Sequence, residues 1–253
     1  MISPFIPKNN ANLIIISGQV EDKYLKDLKE DGLNIIKTIP HPFLNEKIAF
    51  HPDMVMCQVG ENKVVVDPDV YDYYHEKLGI YNIEVIRGST SLKADYPYDI
   101  AYNAIINGGY GFHNTKFTDG VLLNRAIDAN IKWITVNQGY TKCSVLIVNE
   151  DSIITADKKI AMKWNQLGKE SLLIQPGHID LPGFKHGFIG GASGNLSKDK
   201  LIIAGNLKNH PNGKEILEFI NDKKIGIIDI SYEKLYDIGT ILAFYVHIDD
   251  NKC

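Results

Sequence analysis

At 253 residues, with 44% hydrophobic and 23% charged side chains, the chain has the size and composition of a globular protein with one substantial core. A net charge of −4 offers no basic face for nucleic acid, and the longest apolar runs (13–16 and 144–148) are strand-length and far too short to span a bilayer. Three dispersed cysteines exclude a disulfide framework, and without CxxC or HExxH no zinc site is expected.

Residues 1–10 hold two prolines and no apolar leader, so a reducing, cytoplasmic location is expected. The first patterned segments are a strand over 12–17, a helix over 21–31 and a strand over 33–38. A fuller order then begins. Residues 48–59 read as a strand, Gly60-Glu61-Asn62 as a turn and 63–67 as a second strand. Pro68 or Asp69 opens a helix to Gly79, and 82–86 is a third strand. A looser copy has a strand over 99–107, a Gly108-Gly109 turn, a helix over 118–130 and a strand over 131–136. The clearest copy runs from Lys142 to Ile174: strand 143–148, turn 149–151, strand 152–155, helix 157–168 and strand 171–174. Asp157 suits a helix start, where a carboxylate accepts orphan N–H groups, and Gly168 suits the stop. A last copy follows, with strands over 187–196, 200–204 and 225–230 and a helix over 213–221.

These are four units of roughly 40–50 residues, a period expected of repeat architectures. The N-terminal unit lacks a leading strand, and the C-terminus carries one to spare over 238–247. Pairing the two completes a fifth unit and removes the exposed sheet edges of an open array. The expected fold is therefore α/β: a single domain over 1–253, built as a five-unit propeller of strand-turn-strand-helix-strand repeats and closed by its terminal strands. The competing reading is an open α/β sandwich with coincidental periodicity.

Closure would gather the starts of the first strands at one axis. These are His51-Pro52-Asp53, 99–103, Lys142-Cys143-Ser144, 191–195 and Asp237-Ile238-Gly239. Thiol, imidazole and carboxylate together are what nucleophilic thiol chemistry needs. Plainer roles stand beside this one. Cys143, flanked by Val145 and Ile147, reads equally as a packed core thiol, as does Cys57. Asp53 and Asp237 could cap turns or pair with Lys142 as a central salt bridge. The glycine-rich stretch 187–194 lacks GxGxxG spacing, which suggests close backbone approach near the axis instead of a dinucleotide loop. Tyr71, Tyr73 and Tyr74 read as one helix face, and Cys253 as a disordered terminus.

Three stretches in order carry a family resemblance: His51-Pro52-Asp53, Asp99-Ile100-Ala101-Tyr102-Asn103 and Cys143-Ser144-Val145-Leu146-Ile147. Between His51 and Glu150 the chain resembles the C-terminal part of a dimethylargininase. It is thus similar to the pentein, or guanidino-group-modifying, superfamily, with its deiminases, amidinotransferases and catalytically silent initiation-factor branch. The remaining units follow this part, as in a circular permutation. The superfamily's Glu-Gly-Gly-Asp-Val-Leu strand would then fall on residues 237–242.

The resemblance implies a hydrolase or transferase acting on a guanidino or amidino compound such as an arginine derivative. His51 would be the acid/base, Cys143 the nucleophile, and Asp53 and Asp237 the grip on a guanidinium. Asn103, Lys142 and Asn195 would line the substrate site. A small-molecule partner and no cofactor follow; self-association stays open. Two departures point the other way, to an inactive binding module. The superfamily's nucleophile position falls on Lys142, and one residue along a strand turns Cys143 to the opposite face unless a bulge intervenes. The stretch 190–195 also lacks an expected acid.

Overall fold

The computed structural model describes residues 2–230 and 232–247; Cys253 lies outside them. The chain opens on β1 (Leu13–Ile16), α1 (Lys26–Glu30) and β2 (Asn34–Lys37). The first full unit is α2 (Pro52–Val55), β3 (Met56–Gly60), β4 (Lys63–Val66), α3 (Tyr71–Gly79) and β5 (Glu84–Arg87). The second is β6 (Ile105–Asn107), β7 (Tyr110–His113), α4 (Gly120–Asp128) and β8 (Lys132–Thr135). The third is α5 (Thr141–Ser144), β9 (Val145–Ile147), β10 (Ser152–Thr155), α6 (Lys158–Gln166) and β11 (Glu170–Leu173). The fourth is β12 (Ser193–Ser197), β13 (Lys200–Ala204), α7 (Gly213–Asp222) and β14 (Gly226–Ile230), after which β15 (Leu242–Phe244) remains.

Each unit folds alike. Its first strand pairs antiparallel with the second across a tight turn, and the second pairs parallel with the third across a helix. Among the described residues this gives five three-stranded sheets. The fifth is β15–β1–β2, in which Leu13 faces Phe244 and Ile15 faces Leu242 in antiparallel register. The terminal strands therefore close the ring as expected.

Local chemistry explains the boundaries. Asp119 and Asp157 each accept two N–H groups at the starts of α4 and α6, and Gly168 adopts a left-handed φ of 74° just past α6. The inner strands β9 and β6 are buried on both faces, so they read as unbroken apolar runs. Helix faces such as Ile160, Ala161 and Trp164 of α6 cover the sheets. The 21–31 segment is shorter than its pattern suggested. It forms a 3-10 turn and then α1, because Leu25 and Leu28 alone make too narrow an apolar stripe.

The main correction concerns where the inner strands begin. They start later than expected, at residues 56, 105, 145, 193 and 242. The polar residues before them form tight turns, two of which are the single helical turns α2 and α5. Pro52 occupies the first position of α2, where its fixed φ and missing N–H are harmless. Backbone bonds link these turns from unit to unit. Asp53 N donates to Gly239 O, Thr141 N and Lys142 N to Asn103 O, Gly191 N to Cys143 O, and Ile238 N and Thr240 N to Gly191 O.

Phe244 is 2% exposed and sits in the closing register. Truncation by Phe244→Ala should cost about 3–5 kcal/mol in urea unfolding. A loss below about 1 kcal/mol would mean that the terminal strand is not docked.

Candidate active site

The inner turns place six of the sequence-nominated side chains around the axis: His51, Asp53, Asn103, Lys142, Cys143 and Asp237, each at most 5% exposed. Asp53 lies at the centre. Its Oδ2 is 2.9 Å from Cys143 Sγ and 2.6 Å from Thr240 Oγ1, while its Oδ1 has no hydrogen-bond partner. Asn103 holds the thiol from the other side. Its Nδ2 lies 3.1 Å from Cys143 Sγ, and its Oδ1 accepts the N–H groups of Lys142 and Cys143. One amide thus fixes both the sulfur and the turn that carries it.

The strand-parity objection to Cys143 does not survive. Residues 141–144 form a helical turn, so adjacent side chains diverge by about 100° instead of alternating between faces. Both Lys142 and Cys143 reach the axial cluster. The Lys142 ammonium donates to Thr240 Oγ1 at 3.2 Å and lies 5.3 Å from the Phe5 ring centroid, a cation–π contact. Thr240 stands between Lys142 and Asp53, so the central salt bridge is replaced by a hydroxyl-mediated link.

Asp237 sits to one side, fixed by the N–H groups of Phe188 and Gly239. His51 Nδ1 is 3.8 Å from Asp237 Oδ1, too long for a hydrogen bond. The glycine-rich stretch 187–194 is needed because this carboxylate and the third unit fill the space beside it. A Cβ on Gly191 would lie 2.0 Å from Asp237 Oδ1, and one on Gly190 would lie 2.3 Å from the Lys142 and Val145 carbonyl oxygens. The missing acid of this unit is thus replaced by backbone packed on a neighbour's acid.

Asn195 is not among the axial residues. It lies within β12, and its Nδ2 donates to Ile147 O of β9 at 3.1 Å, joining two inner strands. Cys57 is likewise spent on packing: its Sγ is 3.4 Å from Ala104 O, and burial pushes its thiol up to about 12. Thr240 is the axial residue that sequence reasoning missed. In the correspondence that the family resemblance implies, its position is that of the aspartate in the Glu-Gly-Gly-Asp pattern. Thr240 is fully buried at a left-handed φ of 71°, which for a β-branched residue costs of order 1–3 kcal/mol.

Burial dominates the electrostatics. It lowers His51 to about 4 against the pull of Asp53, so the imidazole is neutral near pH 7. It raises Asp237 to about 6, although two backbone N–H groups favour the carboxylate. Asp53 is also raised by burial, and Cys143 is raised by burial and then by the Asp53 and Asp237 charges. Lys142 is lowered by burial against the attraction of Asp53. A cavity of about 570 Å³ approaches this cluster, with His51 and Asp237 at its inner wall and Tyr24, Tyr232 and Tyr236 beside them.

A separate trio, His41, Asp67 and Asp69, has ligand atoms close enough for a metal. However, His41 Nδ1 accepts the Phe43 N–H, which puts the ring proton on Nε2, 3.2 Å from Asp67 Oδ1. Asp67 already accepts the N–H groups of Asp69 and Leu92. His41 Nε2 makes no hydrogen bond there, and both Asp67 oxygens are already held by backbone, so the trio is a close His–carboxylate contact and not an assembled metal centre.

A ring of five such units around a polar axis is the pentein fold, and solved structures bear this out. DDAH from Pseudomonas aeruginosa, a cysteine-to-serine mutant complexed with citrulline, superposes with a TM-score of 0.58 at 8% identity, covering 93% of this chain and 100% of that one. The inosamine-phosphate amidinotransferase of Streptomyces griseus gives 0.57 at 8% identity, covering 97% of each chain. The agmatine deiminase of C. jejuni gives 0.56 at 9%, covering 98% of each. Within this fold, the chain belongs to a family of unknown function (DUF6873), matched over residues 15–242. No curated protein matches it.

His51 and Asp237 have opposite linkage to folding. Asp237, raised to about 6, contributes most below the ordinary carboxylate range, and that contribution is lost as pH rises through about 6. His51, lowered to about 4, contributes fully above the ordinary imidazole range, and that contribution is lost as pH falls through about 4. Between about pH 4 and 6, Asp237→Asn should therefore make the slope of stability against pH more positive, and His51→Asn should make it more negative. Urea midpoints across this range test the pair, and slopes shifting in the same direction would contradict it.

Proposed function

We propose that the axial cluster binds a guanidinium or amidinium group and that Cys143 is its nucleophile, making the protein a hydrolase or transferase acting on a guanidino compound such as an arginine derivative. The observation carrying this reading is Asp53. A buried carboxylate with one oxygen 2.9 Å from a thiol and the other unpartnered is a half-filled site for a planar cation. Charge supports it too. Asp53 and Asp237 together exceed the single Lys142 ammonium by one negative charge when both are ionised, and His51 and Cys143 are neutral. An incoming guanidinium would balance that excess.

In this reading the positive ligand offsets the carboxylates that hold the thiol protonated. As sulfur adds to the guanidino carbon, the thiol proton passes to Asp53 and onward to the departing amine, with His51 as the shuttle. The C–N bond breaks, and the S-linked amidino intermediate is resolved by water or a second amine. The ligand would arrive through the cavity beside His51 and Asp237. The superposed enzymes, a citrulline complex among them, share the fold within which this chemistry is proposed.

A second reading, a ring that keeps the cluster as a binding or interaction module, is favoured by one observation: the Lys142 ammonium already occupies the axis. The two readings separate in a turnover assay. Ammonia, amine and urea release should be measured across a panel of guanidino compounds. On the enzymatic reading at least one compound turns over and Cys143→Ser lowers the rate by at least about 10³-fold. Turnover that survives Cys143→Ser would remove Cys143 from the role. Ligand binding without turnover would select the module.

A further inference from the structure

We infer that Asp53 carries a proton in the empty site, held on Thr240, and that binding of a cation expels it and leaves Asp53 as the base for Cys143. The inference follows from the partners that Asp53 and one hydroxyl find in a buried site. Thr240 Oγ1 has three polar neighbours: Lys142 Nζ at 3.2 Å, Gly190 O at 3.0 Å and Asp53 Oδ2 at 2.6 Å. Lys142 donates to it. Gly190 O can only accept, and it is also reached by the Ser193 hydroxyl at 3.1 Å and the Ser193 N–H at 3.3 Å. The short contact to Asp53 holds one proton, which either Thr240 or Asp53 can supply, and the rest of the cluster decides between them.

With Asp53 protonated on Oδ2, every contact has one hydrogen. Asp53 donates to Thr240, Thr240 donates to Gly190 O, and the Cys143 thiol donates to Asp53 Oδ2 at 2.9 Å. The unpartnered Oδ1 is then a carbonyl oxygen, far cheaper to leave dry than half of a carboxylate. With Asp53 ionised, the Thr240 proton goes to Asp53, which leaves Oδ1 a buried carboxylate oxygen with no donor and the Thr240 and Gly190 oxygens 3.0 Å apart with no hydrogen between them. The direction of Asp53's titration, raised by burial, agrees. The neutral acid also balances the cluster, leaving one ammonium and the Asp237 carboxylate. Thr240's left-handed backbone puts the hydroxyl where these three neighbours meet.

The exchange is balanced: one guanidinium enters, one proton leaves to solvent, and the new carboxylate faces the thiol it is to deprotonate. Thr240 is a positioning residue in this scheme. The inference rests on the guanidinium reading for its second half only.

The first measurement needs no ligand. Infrared spectra of the wild-type protein at about pH 8, well above the Asp237 titration, should show a hydrogen-bonded protonated carboxylic acid. The band should vanish in Asp53→Asn, persist in Thr240→Ser and shift or disappear in Thr240→Val. The Thr240 variants assign it even if Asp53→Asn does not fold. The second measurement is calorimetry with methylguanidinium chloride at the same pH, in two buffers of different ionisation enthalpy. About one proton per ligand should be released by the wild type and by Thr240→Ser, less than half of that by Thr240→Val, and none by Asp53→Asn. Neutral methylurea should release none. No acid band in the wild type, or a band unmoved by both the Asp53 and Thr240→Val changes, overturns the stored proton. A sensitive band with no methylguanidinium binding upholds the proton and removes the guanidinium reading instead.

Discussion

The antiparallel pairing of β15 with β1 is the constraint on which the rest depends. No single unit has two faces of its own to bury. Each inner strand is covered only because others stand beside it: β12 lies against β15 and β9, and β3 against β6. Closing the ring covers the edge of β1 that an open array would leave unpaired. It also turns five sequence-distant loops into neighbours, and their backbones then bond to one another around the axis. The polar cluster is a consequence of closure, and so is its dryness.

That dryness sets the chemistry. In water, two carboxylates, an imidazole, a thiol and an ammonium would each hold an ordinary charge. Here desolvation is the largest influence on every one of them, and it pushes each towards its neutral form. Only those with fixed donors or a nearby counter-charge resist. Asp237 has two backbone N–H groups and is raised only to about 6, whereas Asp53 has a hydroxyl, a thiol and an orphaned oxygen. Two aspartates on one axis thus play different parts, and the difference comes from the backbone around each.

Much of the fold was legible in the sequence because its signals are local and repeat. Strand-length apolar runs, Asp119 and Asp157 at helix starts and Gly168 at a helix end recur in the same order, so each copy corroborates the others. The spare C-terminal strand was legible by arithmetic: one unit lacked what the end supplied. The turns before the inner strands were not. Their residues share the apolar, β-prone neighbourhood of the strands, and a helical turn of four residues is too short to show a period. Misreading Cys143 and Ser144 as the start of a strand turned Cys143 away from the axis, although the single helical turn 141–144 directs both it and Lys142 there. Asn195 erred in the opposite sense. A polar residue near an inner strand start looks axial, but this one joins adjacent strands with its amide.

Thr240 shows why a site assembled by closure resists reading residue by residue. Alone, a threonine after glycine at a strand start is unremarkable, and its hydroxyl is not a group that titrates. Its importance lies in its three neighbours, which come from different units, and in a backbone conformation that a threonine adopts only when the surroundings insist. The same holds for Gly190 and Gly191, whose lack of side chains matters because Asp237 and the α5 turn occupy the space. A carboxylate, a hydroxyl, an ammonium and bare backbone therefore form one unit of chemistry, in which changing any member alters the protonation of the others. Such coupling is what the proposed exchange of a stored proton for a cation would require.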